Sequence, residues 1–192
     1  MPLVIKGSSS GQVTVDVPAA AGTNTLTFPA ATGDIITNKT AGTIIQVVNT
    51  VSSAVATGTT VFTYSNTIPN NSQGDEYMTL AITPTNSSNK LFIQIVALIA
   101  STNTNSAMNG ALYQDSTSNA LAATVSAKND AVNAPSILTL NHFMDAGTTS
   151  ETTFKFRGGN AGSATTTFNG LGGNVAFGAI PKSSITITEI AV

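Results

Sequence analysis

From residue 44 to the end of the chain, apolar side chains come in short runs, most of them alternating with polar ones, and turns rich in Asn, Ser, Gly and Pro separate the runs. No stretch shows the 3.6-residue spacing with a charged outer face that an amphipathic helix requires. Strands are therefore expected over residues 44–51, 61–64, 77–82, 91–100, 112–113, 121–125, 137–143, 152–157, 165–168, 175–177 and 185–190. About ten short strands in roughly 150 residues read as an all-β sandwich of jelly-roll-like type. The abundance of Thr fits, because β-branched side chains suit a pleated, half-buried surface. Residues 152–157 place Phe154 and Phe156 on one face and Lys155 and Arg157 on the other, so one face is packed and the other is wet or interfacial. The closing run, with Ile185, Ile187 and Ile190, lies so near the end of the chain that it has to be paired inside a sheet to avoid fraying.

The first forty residues follow a different rule. Gly11, Gly22 and Gly33 recur every eleven positions, and VPAAAG (17–22) realigns with FPAATG (28–33). Each unit is a short alternating strand, with Val13, Val15 and Val17 in one and Leu26 and Phe28 in the next, stopped by Pro and turned at Gly. Eleven residues cannot enclose a core, so such units need neighbours or other chains to cover their apolar face. The segment 1–42 is read as a short repetitive stalk or attachment segment, and 43–192 as the β-sandwich domain.

Charge is scarce: 8% of residues carry one, against about a quarter in an ordinary soluble domain. The seven Lys and Arg are scattered and the net charge is −2, so no basic patch exists to neutralise phosphates and nucleic-acid binding is not expected. With 41% hydrophobic residues and so little charge, disorder is disfavoured. There is no Cys, which removes disulfides, thiolate nucleophiles and Cys-ligated metals together, and leaves packing or assembly to hold the fold. The longest apolar run, residues 91–100, is interrupted by Gln94 and reaches about half the ~20 residues that cross a bilayer. It reads as a buried strand, and membrane insertion is not expected. The opening MPLVIK has no hydrophobic region of a signal peptide, so no export signal is expected either.

The search for chemistry returns little. His142 is the single histidine, and a triad or a His metal cluster would rest wholly on it, so it reads as structural. The adjacent Asp75 and Glu76 lack the ligand spacing of a calcium loop and read as solvated turn charges. The other carboxylates are isolated, so no paired acids of a glycoside hydrolase are legible. The Gly-rich tracts 157–162 and 170–174 precede neither Lys-Ser/Thr nor a helix, and read as hairpin turns rather than phosphate loops. Sequons at Asn38, Asn70 and Asn86 are what a chain so rich in Asn, Ser and Thr contains by chance. No catalytic residue, cofactor or metal is expected, and the chain is not expected to be an enzyme. What is abundant is Asn, Thr, Ser and Gln on a nearly neutral surface. That composition suits an inert coat, and equally a surface that bonds to sugar hydroxyls without desolvating charges, with Tyr64, Tyr77 or Tyr113 stacking on a sugar face.

Three segments together carry a resemblance: GTNTLTFPAATG (22–33), ITPTNSSNKL (82–91) and SITITEIA (184–191). They resemble fibre-like virion structural proteins of tailed bacteriophages, of the short tail fibre or head fibre type, especially from aquatic hosts. MDAGTTSETTFKF (144–156) is similar to the same family's Leu-Asp-x-Pro-x-Thr-Thr-Ser-x-Thr-Thr-Tyr-Lys segment, with Ala146 and Gly147 in place of the usual small residue and Pro. The resemblance spans nearly the whole chain and its motifs mark architecture rather than activity. It implies a homotrimer made in the host cytoplasm and exposed on the particle surface, attached by its N-terminal segment to another virion protein of tail or capsid, with the β-domain projecting outward.

The expectation is a non-enzymatic virion protein whose three heads meet the host surface, several weak contacts adding to tight attachment by avidity. The alternative is a capsid decoration protein or head fibre that ornaments or stabilises the shell. A carbohydrate-cleaving tailspike would need clustered carboxylates that the sequence does not advertise. The particle-binding surface is assigned to the repeat, with Val15, Val17, Leu26 and Phe28 as apolar anchors. Leu26→Asp combined with Phe28→Asp is expected to abolish incorporation into particles while the distal domain keeps its far-UV circular dichroism; incorporation at the wild-type level refutes the assignment.

Overall fold

The computed structural model describes residues 3–6, 12–15 and 41–192. The chain divides into two compact units, Met1–Ile35 and Ile36–Val192. In the first, β1 (Leu3–Lys6) and β2 (Gln12–Val15) form an antiparallel pair with Leu3 opposite Val15 and Lys6 opposite Gln12. Val15 thus belongs to β2, whereas Val17, Leu26 and Phe28 lie outside the described residues.

The second unit is all-β. Its strands are β3 (Ile44–Ser52), β4 (Ala56–Gly58), β5 (Asp75–Ile82), β6 (Lys90–Ser101), β7 (Ala107–Gln114), β8 (Ala122–Lys128), β9 (Pro135–Asp145), β10 (Thr152–Asn160), β11 (Thr166–Phe168), β12 (Gly170–Leu171), β13 (Asn174–Val175) and β14 (Ser183–Ile190). One sheet orders its long strands β3-β14-β6-β9, with β11 and β4 continuing along β6 beyond the end of β14; the other runs β5-β10-β7-β8. All pairings are antiparallel, and among the eight long strands every connection except β7 to β8 passes from one sheet to the other. This order is that of a jelly roll. The sandwich expected from the sequence is what the chain forms.

Alternation explains the core. Leu91, Ile93, Ile95, Ala97 and Ile99 of β6, Leu138 and Leu140 of β9, and Ile185 and Ile187 of β14 point inward from the first sheet. Met78 and Ile82 of β5, Met108 and Leu112 of β7, and Phe154 and Phe156 of β10 meet them from the second. At ~25 cal/mol per Å² each of these Leu, Ile, Met and Phe side chains contributes about 1.5–3 kcal/mol on burial. The Phe154/Phe156 face is packed as the sequence predicts, and the terminal run is a central strand between β3 and β6.

Three local readings are corrected. Ile190 does not follow Ile185 and Ile187 inward, since the alternation gives the inner place to Glu189, and Ile45 is the extra residue of a bulge in β3 opposite Glu189 and Ile190. Residues 61–64 form no strand; the segment lies as a loop over the outer face of the second sheet because Phe62 packs on Ala111 and Tyr113. Gly158 and Gly159 are not turn residues but part of β10, whereas Gly172 and Gly173 do turn a hairpin between β12 and β13, with φ of +58° and +79°. The acidic pair also differs from the expectation, since Asp75 and Glu76 open β5 rather than lie in a turn.

Glu189 is a fully buried carboxylate at the end of the sandwich. Gln46 Nε2 donates to it at 2.6 Å, Asn89 Nδ2 at 2.6 Å, and both the backbone N–H and the hydroxyl of Thr85 at 2.8 Å. Burial pushes the carboxyl pKa up, but these donors outweigh burial and hold it below the ordinary value. A depressed folded pKa stabilises the fold above the ordinary carboxylate range, and that stabilisation disappears as pH falls through the folded value. Glu189→Gln turns an amide donor toward existing donors and is expected to cost about 1–3 kcal/mol at pH 7. Urea titrations at pH 7 and at pH 3 should show the gap between wild type and variant narrowing in acid; an equal gap at both values removes the role given to the charge.

Candidate functional site

Two surface features stand out, one on each sheet. The first is the outer face of the β3-β14-β6-β9 sheet. The register aligns its outward side chains in rows: Ile44, Ile190, Lys90 and Asp145; then Val47, Thr188, Phe92 and Phe143; then Asn49, Thr186, Gln94 and Asn141; then Val51, Ser184, Val96 and Thr139. Leu98 and Ile137 add a further pair. The charges on this face are Lys90 and Asp145, which pair with each other in the first row. Of the fourteen large apolar side chains exposed among the described residues, six belong here: Ile44, Val47, Val51, Val96, Ile137 and Phe143. Such grouping exceeds the single scattered residues that any soluble surface shows. Phe92 and Phe143 lie with ring centroids 6.3 Å apart, and Asn49 Nδ2 donates to Thr186 Oγ1 at 2.8 Å, so the face is ordered by its own contacts.

The second feature is a pocket of about 240 Å³ between the loop that follows β4 and strands β7 and β8. Glycine lets this loop approach the sheet. A Cβ on Gly159 would stand 2.8 Å from the Thr60 carbonyl oxygen and 3.1 Å from Phe62 Cβ, and Gly74 takes φ of +64° against the backbone of Gly158. The loop is then strapped down: Phe62 N–H donates to the Asn160 carbonyl at 2.9 Å, Asn109 Nδ2 to the Phe62 carbonyl at 2.6 Å, and Tyr113 Oη to the Asn70 carbonyl at 2.8 Å. At its base Asp75 accepts from the Thr60 N–H and hydroxyl, and Arg157 donates to the carbonyls of Gln73 and Gly74. Between these straps Tyr64, Ser65 and Thr67 stand away from β8, whose Ala123, Thr124 and Val125 form the facing wall. Asn109, opposite Val125 in the register, lines the pocket from β7 with its Oδ1 buried and unpartnered.

The three tyrosines proposed for sugar contact are placed differently. Tyr64 is 71% exposed and lines the pocket. Tyr113 is buried under the loop, and burial, opposed by the nearby Arg157 guanidinium, pushes its hydroxyl up to about 12. Tyr77 is the extra residue of a β-bulge opposite Phe156 and Arg157, which turns its ring onto Phe168 at 4.9 Å. Burial, reinforced by Asp75, raises its pKa as well. Neither of these two offers a ring face to a surface ligand. His142 is half-buried in β9 opposite Ile93, and burial lowers its pKa, which favours the neutral imidazole. The sequence reading missed Asn109 and the β8 wall, because a lone Asn and a run of small residues carry no motif.

No protein-family model and no curated protein matches the chain. Among solved structures it is similar to dimeric latent PorU from Porphyromonas gingivalis, at 8% identity and a TM-score of 0.37, over 79% of this chain and 14% of that one. It is also similar to infectious bursal disease virus structures of the Gx strain (11% identity, TM-score 0.38, 97% of this chain and 44% of that one) and the Gt strain (11%, 0.36, 98% and 46%). The chain spans less than half the length of each of these proteins.

Because Gly159 admits the loop, Gly159→Ala is expected to destabilise the domain by about 1–3 kcal/mol through overpacking against Thr60 and Phe62. Denaturant midpoints compared with those of Gly42→Ala, whose added methyl meets nothing within 4 Å but which strains a φ of +83°, separate crowding from backbone cost. A Gly159→Ala midpoint equal to wild type contradicts the close approach.

Proposed function

We propose that this protein is a non-enzymatic structural component of a tailed-phage virion: a homotrimeric fibre, anchored through its N-terminal segment to a tail or capsid protein, that presents the β-sandwich to the host surface. The observation that supports assembly is the outer face of the β3-β14-β6-β9 sheet, whose charges are confined to the Lys90–Asp145 pair in its first row. Its Val, Ile and Phe side chains gain from leaving water, and its Thr, Asn and Gln side chains supply hydrogen bonds across a contact. With those two charges paired to each other in the first row, the remaining rows bring no charges to a second copy of the face, which lowers the usual electrostatic penalty of self-association. The number three comes from the resemblance in the sequence.

Attachment then follows from multiplicity. Three heads on one fibre raise the effective concentration of each contact for the next, so weak individual contacts add to a firm grip. A decoration role on the shell is the second reading, supported by the same neutral, hydroxyl-rich surface. The number of copies per purified particle separates the two, with hundreds over the head for decoration and a few trimers at the tail for a fibre.

Light scattering on the purified chain is expected to give three times the 19.4 kDa of one copy. Val47→Asp combined with Phe143→Asp is expected to reduce this to one copy with unchanged far-UV circular dichroism, because both side chains are exposed within a single chain. A monomeric wild type at micromolar concentration, or a variant that stays trimeric, refutes the assembly face.

A further inference from the structure

We propose that the pocket beside Tyr64 binds one neutral pyranose ring of a surface polysaccharide. The proposal deepens the host-attachment reading and rests on it for the source of the sugar; the chemistry comes from the pocket.

Size is the first constraint. At about 240 Å³ the pocket falls just below the ~300 Å³ where sites for larger ligands begin, so it suits a single ring with its neighbours in the polymer left in solvent. Charge is the second. None of the lining residues is Asp, Glu, Lys, Arg or His, so a phosphate or carboxylate would leave water without a counter-ion. Sialylated and phosphorylated sugars are thereby disfavoured.

Polarity is the third constraint and points to hydroxyl groups. Asn109 is 3% exposed, and its Nδ2 is committed to the Phe62 carbonyl, which fixes the amide orientation and leaves Oδ1 as an acceptor without a donor. Ser65 and Thr67 carry hydroxyls 2.8 Å apart that bond to each other and keep further donor or acceptor capacity for the ring. Tyr64 gives an exposed aromatic surface for the C–H face of a pyranose. The Ser65 and Thr67 hydroxyls beside the exposed Tyr64 ring combine polar and apolar contact as a pyranose presents them, which favours a sugar over an apolar peptide side chain.

The test is a titration of the ¹⁵N-labelled full chain with methyl glycosides of glucose, galactose and mannose, and in parallel with N-acetylneuraminic acid and glucose 6-phosphate, followed by amide shifts. At least one neutral glycoside is expected to shift residues 63–67 and 123–125, with a Kd on the order of millimolar. The charged sugars are expected to shift none of them, and Tyr64→Ala to weaken binding roughly tenfold while the rest of the spectrum stays in place. Silence from every neutral glycoside, shifts that map elsewhere, or wild-type affinity in Tyr64→Ala overturns the proposal. Adsorption competition separates the two readings. If wild-type chain blocks adsorption and Tyr64→Ala blocks it equally, the pocket assignment falls and attachment stands. If a glycoside binds at the pocket and saturating chain leaves adsorption unchanged, attachment falls and the pocket stands.

Discussion

The register of β6 is the constraint on which the rest of this domain depends. The strand is twelve residues long, pairs with β9 along one edge, and pairs with β14 and then β11 along the other. Its inner side chains, Leu91 to Ile99 at every second position, are at most 1% exposed. A slip of one residue against either neighbour would turn this apolar set outward, so the pairing is fixed by burial rather than by the backbone bonds themselves. The same alternation that fills the core places Phe92, Gln94 and Val96 on the outside, opposite Phe143, Asn141 and Thr139. Core and proposed assembly face are thus two sides of one register.

Much of this was legible in the sequence because the long strands carry clean period-two patterns. Residues 91–100, 137–143, 152–157 and 185–190 all lie within observed strands, and the sandwich follows from their number and spacing. What was illegible depends on contacts between distant parts of the chain. Tyr77 reads as one more strand residue, yet an extra position opposite Phe156 and Arg157 sends its ring to Phe168. Gly158 and Gly159 read as turn residues because glycine most often serves turns; here the absent side chain serves the approach of a loop from residues 60 to 74. Phe62 reads as strand and is instead the anchor of that loop. In each case local preference is overridden by packing, which no window of the sequence contains.

The pocket was legible only in part, for a related reason. Aromatic residues and neutral polar composition suggest sugar contact in general, and on that ground Tyr64, Tyr77 and Tyr113 are equal candidates. Which tyrosine is free depends on which loop covers which sheet, and the covering loop itself consumes Tyr113, whose hydroxyl holds the Asn70 carbonyl. Asn109 takes its meaning from the same event. Its amide nitrogen secures the loop, and that commitment is what leaves its oxygen as an unfilled acceptor.

Scarcity of charge links these features. Several of the charged side chains hold loops or strand ends: Asp75 holds Thr60, Arg157 holds Gln73 and Gly74, Asp115 accepts from the Thr153 N–H, and Glu189 gathers Gln46, Thr85 and Asn89. Each is a place where backbone or amide donors and acceptors would otherwise lack strong partners, and a charged group makes the stronger hydrogen bond. The outer sheet face keeps only the mutually paired Lys90 and Asp145 in its first row, and the pocket lining has no charged residue. A broad contact between identical copies and a contact with an uncharged sugar share one requirement, that hydrogen-bonding groups be present while charges, which are costly to strip of water, are not. The composition that first marks this chain as unusual is therefore what both surfaces need, and it concentrates the strong electrostatics where the loops that shape the pocket are tied to the sheets.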